Sequence, residues 1–168
     1  MLLQRIKGVF KFDVATFESI EQDKKSFSQA LFVVFLVAVI VATGYGLYAL
    51  YIQNSFVTAF IACLIWTFIG WFLWSLVTFL IGTLLFKGTA TLPEMMRVLG
   101  FSFAPLLLSI IPCIGSLVGG IWALAAGFIA VRQGLDLDDL KTTLTVGAGF
   151  LLLVLGWGVL QFLLTSFF

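Results

Sequence analysis

The sequence predicts an all-α integral membrane bundle of five transmembrane helices with a short amphipathic N-terminal helix. Three observations predict it. Of 168 residues, 62% are apolar and 10% charged, against roughly 45–50% and 25% in soluble domains, too few polar groups to cover a soluble globule. The stretches 27–52, 56–86, 98–131 and 142–168 contain no Asp, Glu, Lys or Arg, and about 20 helical residues cross a bilayer core. The nine basic and eight acidic residues all fall where five crossings would bring them to one face.

In residues 1–26, Leu3, Ile6, Phe10, Val14 and Phe17 recur at helical spacing beside Arg5, Lys7 and Lys11. That pattern suits an amphipathic helix lying on the cytoplasmic leaflet, set apart from a five-helix domain at 27–168. The first apolar run begins too late and continues too long for a cleaved signal peptide, so it reads as a retained anchor. Helices are expected at 28–51 and 56–86. The run 98–131, at 34 residues, exceeds one span and is divided at "SIIPCIGS", where Pro112 lacks an amide donor and Gly115 can follow in a turn. The remaining helices are then 92–111, 114–133 and 143–167.

Arg5, Lys7, Lys11, Lys24 and Lys25 precede the first span. Lys87 and Arg97 fall at the second connection, and Arg132 and Lys141 at the fourth. The opposite connections, "YIQNSF" and "SIIPCIGS", carry no charge, nor does the terminal "TSFF". Because Lys and Arg stay on the cytoplasmic side, the N-terminus is expected in the cytoplasm and the C-terminus outside.

The third span carries the most local instruction. Thr91 and Glu94 have capping-box spacing, and Pro93 sits in the first turn, where a missing donor costs nothing. Arg97 can snorkel its stem back to the headgroups. Pro105 removes the hydrogen bond to the Phe101 carbonyl and should kink the span, with Ser102 or Ser109 supplying a replacement donor. Pro112 should end it. In the fourth span Gly115, Gly119, Ala123 and Gly127 form a small-residue row that lets another backbone approach. Packing against the third or fifth span and a partner or homodimer seam are both open. Gly147, Gly149, Gly156 and Gly158 of the fifth span offer a possible facing surface. Trp66, Trp71 and Trp74 suit lipid contact and interfacial belts, and Gln161 an interhelical hydrogen bond.

The chemistry the residues exclude is broad. There is no His, hence no imidazole base and no His ligand for haem, chlorophyll or zinc. Cys63 and Cys113 lack metal-ligand spacing and read as buried apolar thiols, with a disulfide near the outer face as the alternative. "DLDDLK" (136–141) lacks the Gly and distal Glu of a calcium loop and reads as a solvated helix start with Arg132 paired to Asp136. No ionised group sits at mid-membrane depth, where pumps need one. A net charge of +1 gives no reason to expect nucleic acid. No catalytic, cofactor or metal residue is expected.

"ATLPEMMRVLGFSFAP" and "IPCIGSLVGGIWALAAGFIAVRQGL" resemble the Yip family of multi-pass membrane proteins. The resemblance rests on Leu92 and Pro93, on Arg97 to Gly100, on Ala104 and Pro105, and on Pro112, Gly115 and Trp122. It implies five spans with a cytoplasmic N-terminus and a non-enzymatic adaptor or organiser. Eukaryotic members interact with Rab/Ypt GTPases. This chain departs from them in having only about thirty residues before the first span, which places GTPase binding in doubt and points to a compact bacterial-type member of the cytoplasmic membrane. The expected partners are the lipid bilayer and other integral membrane proteins, or a second copy. An accessory subunit of a respiratory or photosynthetic complex is the alternative, and a small-solute channel, using Thr67, Ser75, Thr78, Ser102 and Gln161, the third.

Overall fold

The structure, a computed structural model, describes residues 1–111 and 114–167, with side chains as far as Leu163. Among the described residues there are seven α-helices: α1 (Leu2–Phe10), α2 (Val14–Gln22), α3 (Ser26–Tyr51), α4 (Phe56–Leu80), α5 (Leu92–Ser102), α6 (Ile114–Leu135) and α7 (Asp139–Phe167). α4 continues through a π-helical turn, Ile81–Leu85, and α5 is followed by a 3-10 segment, Ala104–Ile110. Five of these units are long and apolar enough to cross a membrane, and the protein is an all-α membrane bundle.

Local chemistry sets the breaks. Ser55 caps α4, its hydroxyl accepting from the Thr58 amide at 3.3 Å. The chain reverses at Gln53, Lys87 and Asp136, each with positive φ (59°, 60° and 53°), a conformation non-glycine residues adopt only sparingly. The chain thus passes back and forth so that residues 26, 85, 92, 135 and 139 share one end, here the charged end, while the connections near 53 and 111 mark the uncharged end.

Two elements differ from expectation. Pro105 does not kink a continuous α-helix. α5 stops at Ser102, and the chain continues as a 3-10 helix with the Leu106 amide bonded to the Phe103 carbonyl at 2.9 Å. Tightening to i+3 pairing bypasses the donor that proline lacks. Ser102 donates to the Leu99 carbonyl at 2.7 Å rather than to Phe101. The N-terminal segment is two helices, not one, because the chain turns at Phe12 (φ 56°). Val9, Phe17 and Ile20 are fully buried in the common core, so this hairpin packs into the bundle instead of merely resting on a leaflet. Burial against α5 and α6 removes Val9, Phe17 and Ile20 from both water and lipid.

The core is built further from α3 (Val33, Val34, Val37), α5 (Val98, Leu99, Phe101) and α6 (Ala126, Ala130, Val131), with Trp71 and Trp74 of α4 and Val146 of α7. α4 packs along α3, and α7 sits outermost against α4 and α6.

Candidate functional site

The polar residues that the sequence singles out converge at the charged end. Thr91 starts α5 with the expected capping box, its amide donating to Glu94 Oε2 at 2.7 Å. Pro93 lies in the first turn. Arg97, one turn further, does not snorkel outward. It is 5% exposed, donates to the Glu21 carbonyl of α2 and stands 3.8 Å from Glu94. Its Nε has no acceptor among the described residues. The reason for its inward turn is α2 itself, which covers the route to the headgroups and offers a helix-end carbonyl in exchange. Burial pushes the Glu21 carboxyl up, assisted by the negative charges of Glu94 and Asp136 and opposed by Arg97.

A second clamp holds the hairpin. Arg5, 6% exposed, binds Asp23 at 2.7 Å and Gln29 at 3.0 Å. Hydrogen bonds from Arg5 and from the Lys25 amide hold the Asp23 carboxyl below the ordinary range. Asp136 accepts from Thr89 at 3.0 Å, so Arg132 pairs instead with Asp139 at 2.9 Å. The positive φ of Asp136 turns its carboxylate toward the α4–α5 connection. Asp138 binds Lys141 through both amide and ammonium, each at 3.0 Å, as a helix start does, and these bonds lower its pKa.

Above this junction runs a seam of tryptophans on glycines. Trp71 and Trp74 are interior, 4% and 3% exposed, a correction to the lipid-facing expectation. Trp71 donates to the Met96 carbonyl at 3.0 Å and covers Gly100, where an added Cβ would meet Ala30 at 2.9 Å and the indole nitrogen at 3.1 Å. Trp74 lies between Gly127 of α6 and Gly149 of α7, and Trp66 lies on Gly156. Glycine here makes room for an indole against a helix backbone. Trp66 and Trp74 stand eight residues apart on α4, and Gly156 and Gly149, which they cover, stand seven apart on α7, about two helical turns in each case; that correspondence is the signal the sequence holds.

The α6 row divides between two neighbours. A Cβ on Gly115 would stand 1.9 Å from the Leu108 carbonyl oxygen, and one on Gly119 2.6 Å from that of Pro105. Ala123 is buried, and Gly127 takes Trp74. Pro112 lies outside the described residues. Gly149 and Gly156 face α4 tryptophans rather than this row, whereas Gly147 and Gly158 have nothing within 4 Å.

The hydroxyls considered for a solute path are committed to their own helices: Thr67 donates to Cys63, Ser75 to Trp71 and Thr78 to Trp74. Gln161 accepts from Tyr45, joining α7 to α3. A crevice of about 260 Å³ in the uncharged half is bordered by Val41, Trp66, Leu106, Ser109 and Ser116. Among the described residues no group of three or more His, Cys, Asp or Glu is arranged to hold a metal ion.

The sequence pattern of the Yip1 domain matches residues 7–160. The chain belongs to the Yip1 domain family. Comparison with curated proteins and with solved structures gives no match. In this Yip1 domain the matched region takes in most of the hairpin, the first four spans and most of the fifth, and Phe17 and Ile20 of the hairpin are buried in the shared core.

Proposed function

We propose that this Yip1 protein is a non-enzymatic scaffold or adaptor of a bacterial cytoplasmic membrane, acting through helix–helix contacts with other integral membrane proteins or a second copy. Its N-terminus is cytoplasmic and its C-terminus outside, following the distribution of Lys and Arg. Residues 1–26 are its cytoplasm-side element and 27–168 its spanning domain. Thr91, Pro93, Glu94, Arg97, Gly100 and Pro105 shape the third span. Gly115, Gly119, Ala123 and Gly127 seat its neighbours.

The observation that carries this reading is α7. Only 11% of its most apolar stretch is buried, and its open side presents Gly147 and Gly158 with no neighbour within 4 Å beside exposed Leu151 and Leu155. Between helices in lipid, close backbone approach at small residues is the principal source of association, and the α6 row is already filled internally. Family membership supports the absence of catalysis.

The test is cysteine crosslinking in native membranes, with Cys63 and Cys113 replaced by Ala and single cysteines at Gly147 and Leu151. Crosslinks to a neighbour from these positions, and not from Leu117 on α6, are expected. A protein that stays monomeric and uncrosslinked would overturn the proposal.

A further inference from the structure

The hairpin α1–α2 is fixed in place along the bundle, not draped below it. Its base is held by Arg5 on Asp23 and by Arg97 on the Glu21 carbonyl. Its turn reaches Trp122 of α6, whose indole donates to the Phe10 carbonyl at 3.1 Å and stacks on Phe12 with ring centres 5.6 Å apart. Trp122 lies ten residues inward of Arg132, the charged residue in the last turn of α6, or about 15 Å at 1.5 Å per residue, which is one leaflet's share of a hydrocarbon core of about 30 Å.

The outward side of this hairpin is nevertheless polar: Gln4, Lys7, Lys11, Asp13, Glu18 and Gln22 are exposed, with Leu3 and Val14 the apolar exceptions among its larger side chains. On other flanks the exposed surface stays apolar toward the charged end, as at Leu31, Phe32 and Phe35 of α3 and Leu140, Leu144 and Phe150 of α7. On the hairpin flank a continuous apolar surface begins only past the turn, at a cleft of about 290 Å³ formed by Phe12, Val118, Ile121, Trp122 and Ala125. The apolar belt is thus much shorter on one side of the molecule than on the others.

We infer that this flank seats phospholipid headgroups and their water against the hairpin, so that the leaflet at the charged end is locally thinned there and nowhere else around the bundle. A bilayer meeting a short apolar belt thins to match it, and exposed ionised groups at membrane depth persist only where water reaches them. The mixed charges of Lys7, Lys11, Asp13 and Glu18 suit zwitterionic headgroups, and the apolar cleft beyond the turn receives the upper acyl chains.

The experiment uses the full chain with Cys63→Ala and Cys113→Ala, reconstituted in phosphatidylcholine vesicles, with a membrane-impermeant maleimide admitted to both sides by freeze–thaw. Single cysteines K7C and K11C report the hairpin, K24C a solvent-exposed loop, and F35C and F150C exposed positions on other flanks. K7C and K11C should label at close to the K24C rate, with F35C and F150C at least about tenfold slower, as for groups kept from water by hydrocarbon. Hairpin cysteines as slow as F35C would overturn the inference. So would fast labelling in vesicles but slow labelling in native membranes, which would assign the face to a protein partner.

Discussion

Arg97 shows how one side chain can hold two parts of a membrane protein together. A guanidinium 5% exposed is costly unless paired, and removing the donor from a buried carbonyl costs about 1–3 kcal/mol. Arg97→Met, which leaves the Glu21 carbonyl without its donor, should therefore lower stability by about 1–3 kcal/mol, measured by thermal unfolding in mild detergent, and should free α2 first, seen as faster hydrogen exchange in residues 14–22. Arg97→Lys, which keeps the charge but not the reach to both partners, should fall between.

The carboxylates beside the two arginines predict opposite pH responses. Glu21 is raised above its ordinary 4.5, chiefly by burial. From about 4.5 up to its folded value the folded chain therefore holds more protons than the unfolded one, and this contribution weakens folding as pH rises. Asp23 is lowered below 3.8 by its bonds to Arg5 and Lys25, so its contribution is present above 3.8 and is lost as pH falls through the folded value. Glu21→Gln should stabilise the protein at pH 7 and make little difference at pH 4. Asp23→Asn should destabilise at pH 7, with the deficit shrinking in acid. Unfolding midpoints across pH 3–8 check both.

At the scale of the helix, neighbouring glycines of α6 should behave differently. A methyl on Gly119 would stand 2.6 Å from the Pro105 carbonyl oxygen, whereas Gly120 has nothing within 4 Å. Gly119→Ala should cost about 1–3 kcal/mol through overpacking, and Gly120→Ala should be neutral or gain up to about 1 kcal/mol from reduced backbone freedom in the unfolded state. Equal effects would mean that the row is not a packing face. The same contrast is expected on α7 between Gly149, under Trp74, and the open Gly147.

The elements also show where sequence reading stopped. Span boundaries were legible because charge, Gly and Pro punctuate them. The orientation of each span was not. The preference of indoles for interfaces points Trp71 and Trp74 toward lipid, but inside this bundle facing glycines leave slots that their flat rings fill. Nothing in the third span announces that α2 closes over Arg97, so its sequence alone points the side chain outward. The single expected N-terminal helix became two because Phe12 takes a positive φ, which a bulky aromatic gives no local reason to expect.

For the whole molecule, charge segregation predicts threading. In cells, a periplasm-dependent reporter such as alkaline phosphatase should be inactive when fused after Asp138 and active when fused after Leu163, with an N-terminal tag protected from external protease in intact cells. Activity at Asp138 would reverse the assignment of the charged end.

What the sequence by itself determined is the number of crossings, their limits and the side on which charge collects. Hydrocarbon admits only backbone whose polar groups are satisfied within the segment, so each run of twenty apolar residues is committed to helix before any neighbour arrives. Only the tertiary structure decided which faces meet, how deep the hairpin enters and which side of α7 stays open. Spans apolar around their whole circumference carry no angular contrast between core and lipid. In lipid the choice of face is made by the shape of glycine slots and indoles, and shape exists only once two helices are side by side.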